Sequence, residues 1–373
     1  MADDTKYWVA FNRISGIGRA RCTRMAECFG DLEAAWRASS SQLASAGLDE
    51  KSVQAIVAAR PGISPEAEME SLQRHGVRPL LRGDPVYPFR LKEIYDPPAV
   101  LYVKGTLGPE DDWCITLVGT RRVTAYGREV THRLSTDLAR NRITIVSGLA
   151  LGVDGIAHQA ALDAGGRTIA VVACGLDMVY PPSHATLAAH IAEHGAVISD
   201  YPLGVRPRPE YFPRRNRILA GISMGTVVVE APEKSGALIT ARYALEENRE
   251  VFAVPGSILS PASRGANRLV QDGAKAVLDY RDIMQELNLR QPMPQQVQFP
   301  GLVAANPTEA GILGTLSQEP AHIDEIRRST GLPVAEVSGA LAVMELRGLM
   351  RQTSAMTYVR MREDGVDYTA GVP

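Results

Sequence analysis

Along the chain the spacing of apolar positions changes twice. Up to about Arg60 they recur every three to four residues, the period of amphipathic helices. "ISGIGRARCTRMAECFG" places Gly16 and Gly18 in a tight turn before one such helix. "LASAGLDEKSVQAIVAAR" repeats the scheme, with a short helix, a turn at Gly47 and a longer helix from Ser52. From about Gly62 to Arg290 the pattern becomes short Val- and Ile-rich runs: "CITLVG", "ITIVSG", "TIAVVACG", "AVISDYP", "GTVVVEAP" and "EVFAVPG". Helical stretches such as Gly127 to Arg140 and Asp154 to Ala164 alternate with them. Strands that are nearly continuous apolar runs are buried on both faces, which predicts a parallel sheet covered by helices. "RQPMPQQVQFPGLVAANP" is polar and aperiodic and reads as a linker. Beyond it come three helices, with a turn at Gly331 to Pro333, and an alternating hairpin from Leu349 to Met361. That is the winged-helix plan.

The expected fold class is therefore α/β. An extended Rossmann-like parallel-sheet core, residues 62–290, is flanked by a small N-terminal helical domain of SAM-like or helix-hairpin-helix-like type, residues 1–61. A linker, 291–306, leads to the winged helix, 307–363, and a tail, 364–373. The Gly16–Gly18 turn suits either plain helix packing or a backbone phosphate contact with Arg19 and Arg21 beside it. The third winged helix, "VAEVSGALAVMEL", has no basic residue, so protein contact or packing suits it better than duplex reading.

Composition narrows the function. The 373-residue chain has a formal net charge of −2, so a nucleic-acid site must be a local basic patch. "MADDTKYW" is no signal peptide, and no apolar run reaches the roughly 18 residues that span a bilayer. A cytoplasmic protein with no membrane partner is expected. Cys22, Cys28, Cys114 and Cys174 form no CxxC pair and are expected to be small buried residues, not zinc ligands or a disulfide scaffold.

In open parallel sheets ligands bind beyond the carboxyl ends of the strands. The residues there are Gly119-Thr120-Arg121-Arg122, Ser147 to Gly152 with Gly148 between, Cys174 to Asp177, Asp200-Tyr201-Pro202, Glu230-Ala231-Pro232, Ser235-Gly236-Ala237 and Pro255-Gly256-Ser257. Glycines, hydroxyls and arginines at helix N-termini favour a phosphate ligand. GxGxxG and GxxxxGK[ST] are both absent, so no nucleotide cofactor is expected. "RPRPEYFPRRNR", Arg206 to Arg217, has five arginines against one acid, Glu210. Read as a loop that leads into a helix at "NRILAGIS", it offers Arg206, Arg208, Arg214, Arg215 and Arg217 to phosphates and Tyr211 and Phe212 to bases, a combination that suits single-stranded nucleic acid.

Catalytic and metal candidates are few. Asp154 and His158 lie four apart on one helix without a further ligand, and His184, His190 and His194 read as surface or packed histidines. Asp177, Asp200 and Glu230 reach the ligand edge, where orienting an arginine or capping a helix suits them better than chemistry. No catalytic residue and no metal site are expected.

In this order, "LVGTRRVTAYG", "SGLALGVDGIAH", "TIAVVACGLDMVYPPSH", "ISDYPLG", "FPRRNRILAGIS", "VVVEAPEKSGALITARYALEENREVFAVPG" and "SRGANRLVQDGAKAV" closely resemble the DNA processing protein A family, also called Smf, over about Leu80 to Tyr280. The resemblance implies a dimeric, non-catalytic single-stranded DNA binder that loads the RecA recombinase in natural transformation. It implies that Arg121 holds phosphate after the Gly turn, and that Ser147, Gly148 and Gly152 form a second phosphate cradle. Phe212, Arg214 and Asn216 match its F-x-x-R-N run, with Phe212 stacking a base. Thr120 stands where serine is commoner, and the hydroxyl is kept. Arg206 and Arg208 rest on charge alone. The alternative is a nucleotide-processing enzyme of nucleoside monophosphate glycosidase type, with "EAPEKSGALITA" in the place of a G-G-x-G-T region and Glu230 as its carboxylate.

Overall fold

The computed structural model describes residues 4–289, 306–316, 320–346, 349–354 and 356–360. The chain divides into two compact units, Met1–Pro292 and Met293–Pro373. The boundary expected near residue 61 falls inside the first unit, and the expected linker and tail lie outside the described residues apart from Asn306.

The first unit opens with six helices: α1 (Thr5–Asn12), α2 (Arg19–Phe29), α3 (Leu32–Arg37), α4 (Ser40–Ser45), α5 (Glu50–Ala59) and α6 (Pro65–Arg74). The turns at Gly16 and Gly47 have φ of 84° and 82°, which side-chain-bearing residues rarely adopt. Asp31, Ser39, Asp49 and Ser64 cap four of these helices through their side chains. Phe11, Cys22, Met25, Leu43 and Ile56 share one small core. Val9 of α1 and Leu72 of α6 instead join a core shared with the sheet. Asn12 also donates to the Tyr102 hydroxyl and to the carbonyl of Asp200, and Arg13 to that of Leu203. The helical segment is thereby joined to the sheet by packing and by hydrogen bonds.

Next come β1 (Val77–Leu80), α7 (Phe89–Glu93), β2 (Leu101–Gly105), β3 (Cys114–Val118), α8 (Ala125–Arg140), β4 (Thr144–Ser147), α9 (Val153–Asp163) and β5 (Thr168–Val171). The unit is completed by α10 (Ala185–His194), β6 (Ala196–Ser199), α11 (Tyr211–Ile222), β7 (Gly225–Val228), α12 (Gly236–Glu246), β8 (Glu250–Ala253), α13 (Arg264–Gln271), β9 (Lys275–Ala276) and α14 (Tyr280–Glu286). The sheet has nine strands in the order β1-β2-β6-β5-β4-β3-β7-β8-β9. From β6 to β9 every pairing is parallel. β1 and β2 extend that sheet by antiparallel pairing, a pair of strands that the proline-rich stretch before "CITLVG" did not disclose.

Residues of one strand alternate between two cores. Cys114 and Val118 of β3 pack with α11 and α12, while Ile115 and Leu117 pack with α8 and α9. This is why the strand reads as a continuous apolar run. After β3 the chain builds β4, β5 and β6 on one side and then crosses to β7 on the other. The crevice where the winding reverses lies beyond the carboxyl ends of β3 and β7.

The second unit contains α15 (Pro307–Thr315), β10 (Ala321–His322), α16 (Ile323–Thr330), α17 (Val334–Leu346), β11 (Met350–Ser354) and β12 (Thr357–Arg360). Its sheet has the order β10-β12-β11, and Ile312, Ile326, Val337, Leu341 and Met344 form its core. Gly331, at φ 70°, ends α16 in the left-handed conformation that glycine favours. The described face of α17 that meets solvent is Val334, Ala335, Glu336, Ser338, Gly339, Ala342, Val343 and Glu345, without a positive charge.

Candidate functional site

At the switch between β3 and β7 lies a cleft of about 290 Å³, lined by Gly119 to Arg121, Phe212, Asn216 and Lys234 to Ala237, with Asp154 and Arg215 at its base. Its size is at the small end of ligand pockets, room for about one nucleotide.

The first loop is fixed by backbone contacts. A Cβ on Gly119 would lie 2.5 Å from the Val153 side chain, and one on Gly152 would lie 2.3 Å from the Thr120 carbonyl oxygen. These two glycines let the loops after β3 and β4 touch. Thr120 accepts from the Arg122 N–H at 3.2 Å, so its hydroxyl holds the turn. Glu230 is buried, accepting from the Thr124 N–H at 3.0 Å and from its hydroxyl at 2.6 Å, while its carbonyl accepts from the Thr120 N–H. Both carboxylate oxygens are occupied in straps that shape the Arg121 loop.

The second loop is organised from beneath. Asp154 accepts from the Gly148 and Ala150 N–H groups at 3.1 and 3.2 Å. A Cβ on Gly148 would come within 2.7 Å of both the Asp154 carboxylate and the Arg215 guanidinium. Burial raises the Asp154 carboxyl above its ordinary range, against the pull of Arg215. Burial, opposed by Asp154, pushes Arg215 down to about 10, so at neutral pH it stays charged. His158 is wholly buried, and its Nδ1 donates to Thr168 Oγ1, whose own hydrogen goes to the Ile145 carbonyl. Burial pushes this imidazole down to about 3. His158 is thus a neutral core residue.

Four expectations change. "YFPRR" is helix, not loop: α11 starts at Tyr211, before the Asn216 at which "NRILAGIS" begins, and Pro213 sits in its first turn, where a missing N–H costs little. Arg215 and Arg217 consequently turn inward, with 4% and 7% exposure. Arg215 donates to the Val171 carbonyl. Arg217 pairs with Asp200 at 2.6 Å and Asp96 at 3.4 Å, so its charge is neutralised inside the molecule. Ser147 is fully buried and donates to the Leu117 carbonyl at 2.6 Å, because the neighbouring parallel strand supplies the acceptor; it gives the cradle shape, not a hydroxyl donor. Tyr211 stacks on Tyr201 with ring centroids 4.6 Å apart, so that face is already covered. The cysteines also differ from expectation at one position: Cys22, Cys114 and Cys174 are buried, whereas Cys28 is exposed.

The remaining residues converge. The Arg121 guanidinium lies over the Phe212 ring at 5.5 Å, a cation–π contact that orients both. Tyr180, 43% exposed, stands at 5.7 Å from Phe212, centroid to centroid. Asn216 donates to the Gly236 carbonyl at 3.3 Å and fastens α11 to the start of α12, where Ser235 is the cap and Gly236 faces open space. Arg122 and Arg214 are exposed. Arg206 and Arg208 are exposed too, and Arg208 lies 5.8 Å over the Tyr211 ring. Sequence reasoning missed Tyr180 and Lys234. Tyr180 carries no signal beyond an aromatic before a proline pair; Lys234, beside Ser235-Gly236 after a strand, was detectable as a phosphate-seeking charge.

Comparison with known proteins gives the following. The family model described as DNA recombination-mediator protein A matches residues 78–288, and the DprA winged helix domain matches residues 300–356. The chain is 36% identical to Protein Smf of Synechocystis over 390 aligned residues, covering 95% of this chain and 98% of that protein. It is 46% identical to the DNA processing protein DprA of Bacillus subtilis over 59% of this chain and 74% of that protein. Among solved structures, DprA of Streptococcus pneumoniae is similar with a TM-score of 0.67 and 34% identity, over 75% of this chain and 97% of that one. DNA processing protein A of Helicobacter pylori, whose structure is described for its single-stranded DNA binding mode, has a TM-score of 0.51 and 31% identity over 57% of this chain and 95% of that one.

Proposed function

The chain belongs to the DNA recombination-mediator protein A family, and on that premise we propose that it binds single-stranded DNA at the β3–β7 crevice without transforming it. The observation that carries the reading is the Tyr180–Phe212–Arg121 group at a cleft sized for one nucleotide. Phe212 and Tyr180 offer rings to an unpaired base, and Arg121, Lys234 and the exposed Arg214 offer charge to phosphates. Gly236 brings open backbone to the same edge, while Gly119, Gly148 and Gly152 let the loops beneath it pack closely. Duplex DNA hides its base faces, so single strands bind preferentially. Glu230 gives no support to glycosidase chemistry, since Thr124 holds both its oxygens.

The bound strand is handed to RecA in recombination during natural transformation, in the cytoplasm. Among the described residues, no helix is long and apolar enough to cross a membrane. A homodimer is supported by Ile258, Leu259 and Leu278, which are 83%, 85% and 82% exposed just beyond β8 and the edge strand β9. The decisive measurement is affinity for single-stranded against duplex DNA, with and without RecA. Arg121→Ala should weaken binding to all single strands alike; equal gel shifts for variant and parent would refute the assignment.

A further inference from the structure

A second cleft, of about 390 Å³, opens on the far side of Arg121, between the start of α8 and the start of α9. Arg121, Arg122 and Arg128 line it together with Gly155, Gln159 and His184, and no acidic residue does. All three arginines are exposed, and none has an acidic partner among the described residues. Three like charges around one hollow repel one another, and an anion placed among them removes that cost.

We propose that this cleft holds the sugar and phosphate of the next nucleotide on the same DNA strand, with Arg128 and Arg122 as its phosphate contacts. The inference rests on reading the first cleft as the single-stranded DNA site. Continuity is the reason for assigning the occupant to the same strand. Arg121 lines both clefts. Between them the two loops lie in direct contact: a Cβ on Gly152 would meet the carbonyl oxygens of Thr120 and Arg121 at 2.3 and 2.7 Å, so glycine keeps the Arg121 loop and the start of α9 together and the two clefts adjacent. A polynucleotide passing from one to the other leaves one base at Phe212 and carries its next phosphate into the second hollow.

The second cleft has no ring on which to stack a base apart from the imidazole of His184, and that ring is already held. Its Nδ1 donates to the Leu149 carbonyl at 2.9 Å, and a Cβ on Gly155 would meet its Cε1 at 2.7 Å, so glycine is what admits the ring against α9. Val123 and Ile156 provide an apolar wall for a sugar. The subsite therefore reads backbone and adds affinity without base preference. Gln159 is partly committed, its amide nitrogen donating to Asp163 at 2.8 Å.

The test uses the full-length protein and short oligothymidylates, with binding followed by fluorescence anisotropy across a salt series. For single strands the slope of log K against log salt is about −0.7 per phosphate contact. Arg128→Ala should make it shallower by about 0.7, Arg122→Ala with Arg128→Ala by about 1.4, and Arg128→Lys by almost nothing. The gain in affinity from one to two nucleotides should disappear in the double variant. An unchanged slope and an unchanged length dependence, in variants with the parent's melting curve, would overturn the proposal while leaving the first site intact. Arg128-dependent binding of free thymidine monophosphate with an unchanged oligonucleotide slope would also overturn it, making the cleft a separate nucleotide site. If Arg121→Ala leaves binding unchanged, the reading of the first cleft falls instead.

Discussion

Arg214 and Arg215 are neighbours in the chain, yet the first meets solvent and the second lies beneath the cleft at 4% exposure. Arg217 repeats the contrast through its pair with Asp200. These arginines therefore respond to different measurements. Arg217→Ala removes the partner of Asp200, whose side chain is 6% exposed, and should cost about 3–5 kcal/mol of folding stability, read from the denaturant midpoint. Phe212→Ala should leave that midpoint nearly unchanged and cost ~1–3 kcal/mol of single-strand affinity. A Phe212 variant that loses stability but not affinity would identify the ring as core. Charge and residue type were visible from the sequence, but the direction of each side chain was not. A segment read as a loop has no period, whereas the helix starting at Tyr211 assigns inside and outside residue by residue.

Elements supply the constraint that individual residues lack. α9 begins at the cleft and carries both Asp154, which ties the Gly148–Ala150 backbone, and His158, buried one turn further on. The imidazole of an unfolded chain takes up a proton near pH 6.5, whereas His158 in the folded protein resists it down to about 3. Between those values the unfolded state binds more protons, so stability falls as pH falls, by up to about 1.4 kcal/mol per pH unit. Denaturant midpoints from pH 7 to pH 3 should show this acid limb, and His158→Gln should flatten it by about one proton; a limb of equal slope in the variant would mean that another group is responsible. The strands from "CITLVG" to "EVFAVPG" were legible because burial on both faces leaves runs that are apolar apart from small hydroxyl residues and one terminal glutamate, Glu250. β1 and β2 were not, because Pro79 and the prolines from Pro85 to Pro98 obscure two short antiparallel strands whose partners are remote in sequence.

For the whole molecule, the division at residues 292 and 293 separates a unit that contains both clefts from a winged unit whose α17 shows solvent no positive charge. Deleting residues 293–373 should change single-strand affinity by less than twofold in anisotropy titrations; a loss of tenfold or more would assign DNA contact to the winged unit. Ile258→Asp with Leu259→Asp should convert a dimer to a monomer in sedimentation analysis without unfolding the sheet, since both side chains are more than four-fifths exposed. A dimer of undiminished strength would exclude that edge as the interface.

By itself the sequence determined which segments are helix and strand wherever burial imposes a period. It also determined that a parallel sheet brings glycines, hydroxyls and arginines to one edge, because the carboxyl ends of parallel strands necessarily face the same way. Only the tertiary structure decided which groups at that edge remain free. Arg121, Phe212 and Tyr180 meet from three segments that are remote in the chain, while Ser147, Arg215, Arg217 and Glu230 find partners inside it. A polar side chain is available to a ligand only when no neighbour has satisfied it, and neighbours across a sheet or between helices are set by three-dimensional packing, not by sequence order.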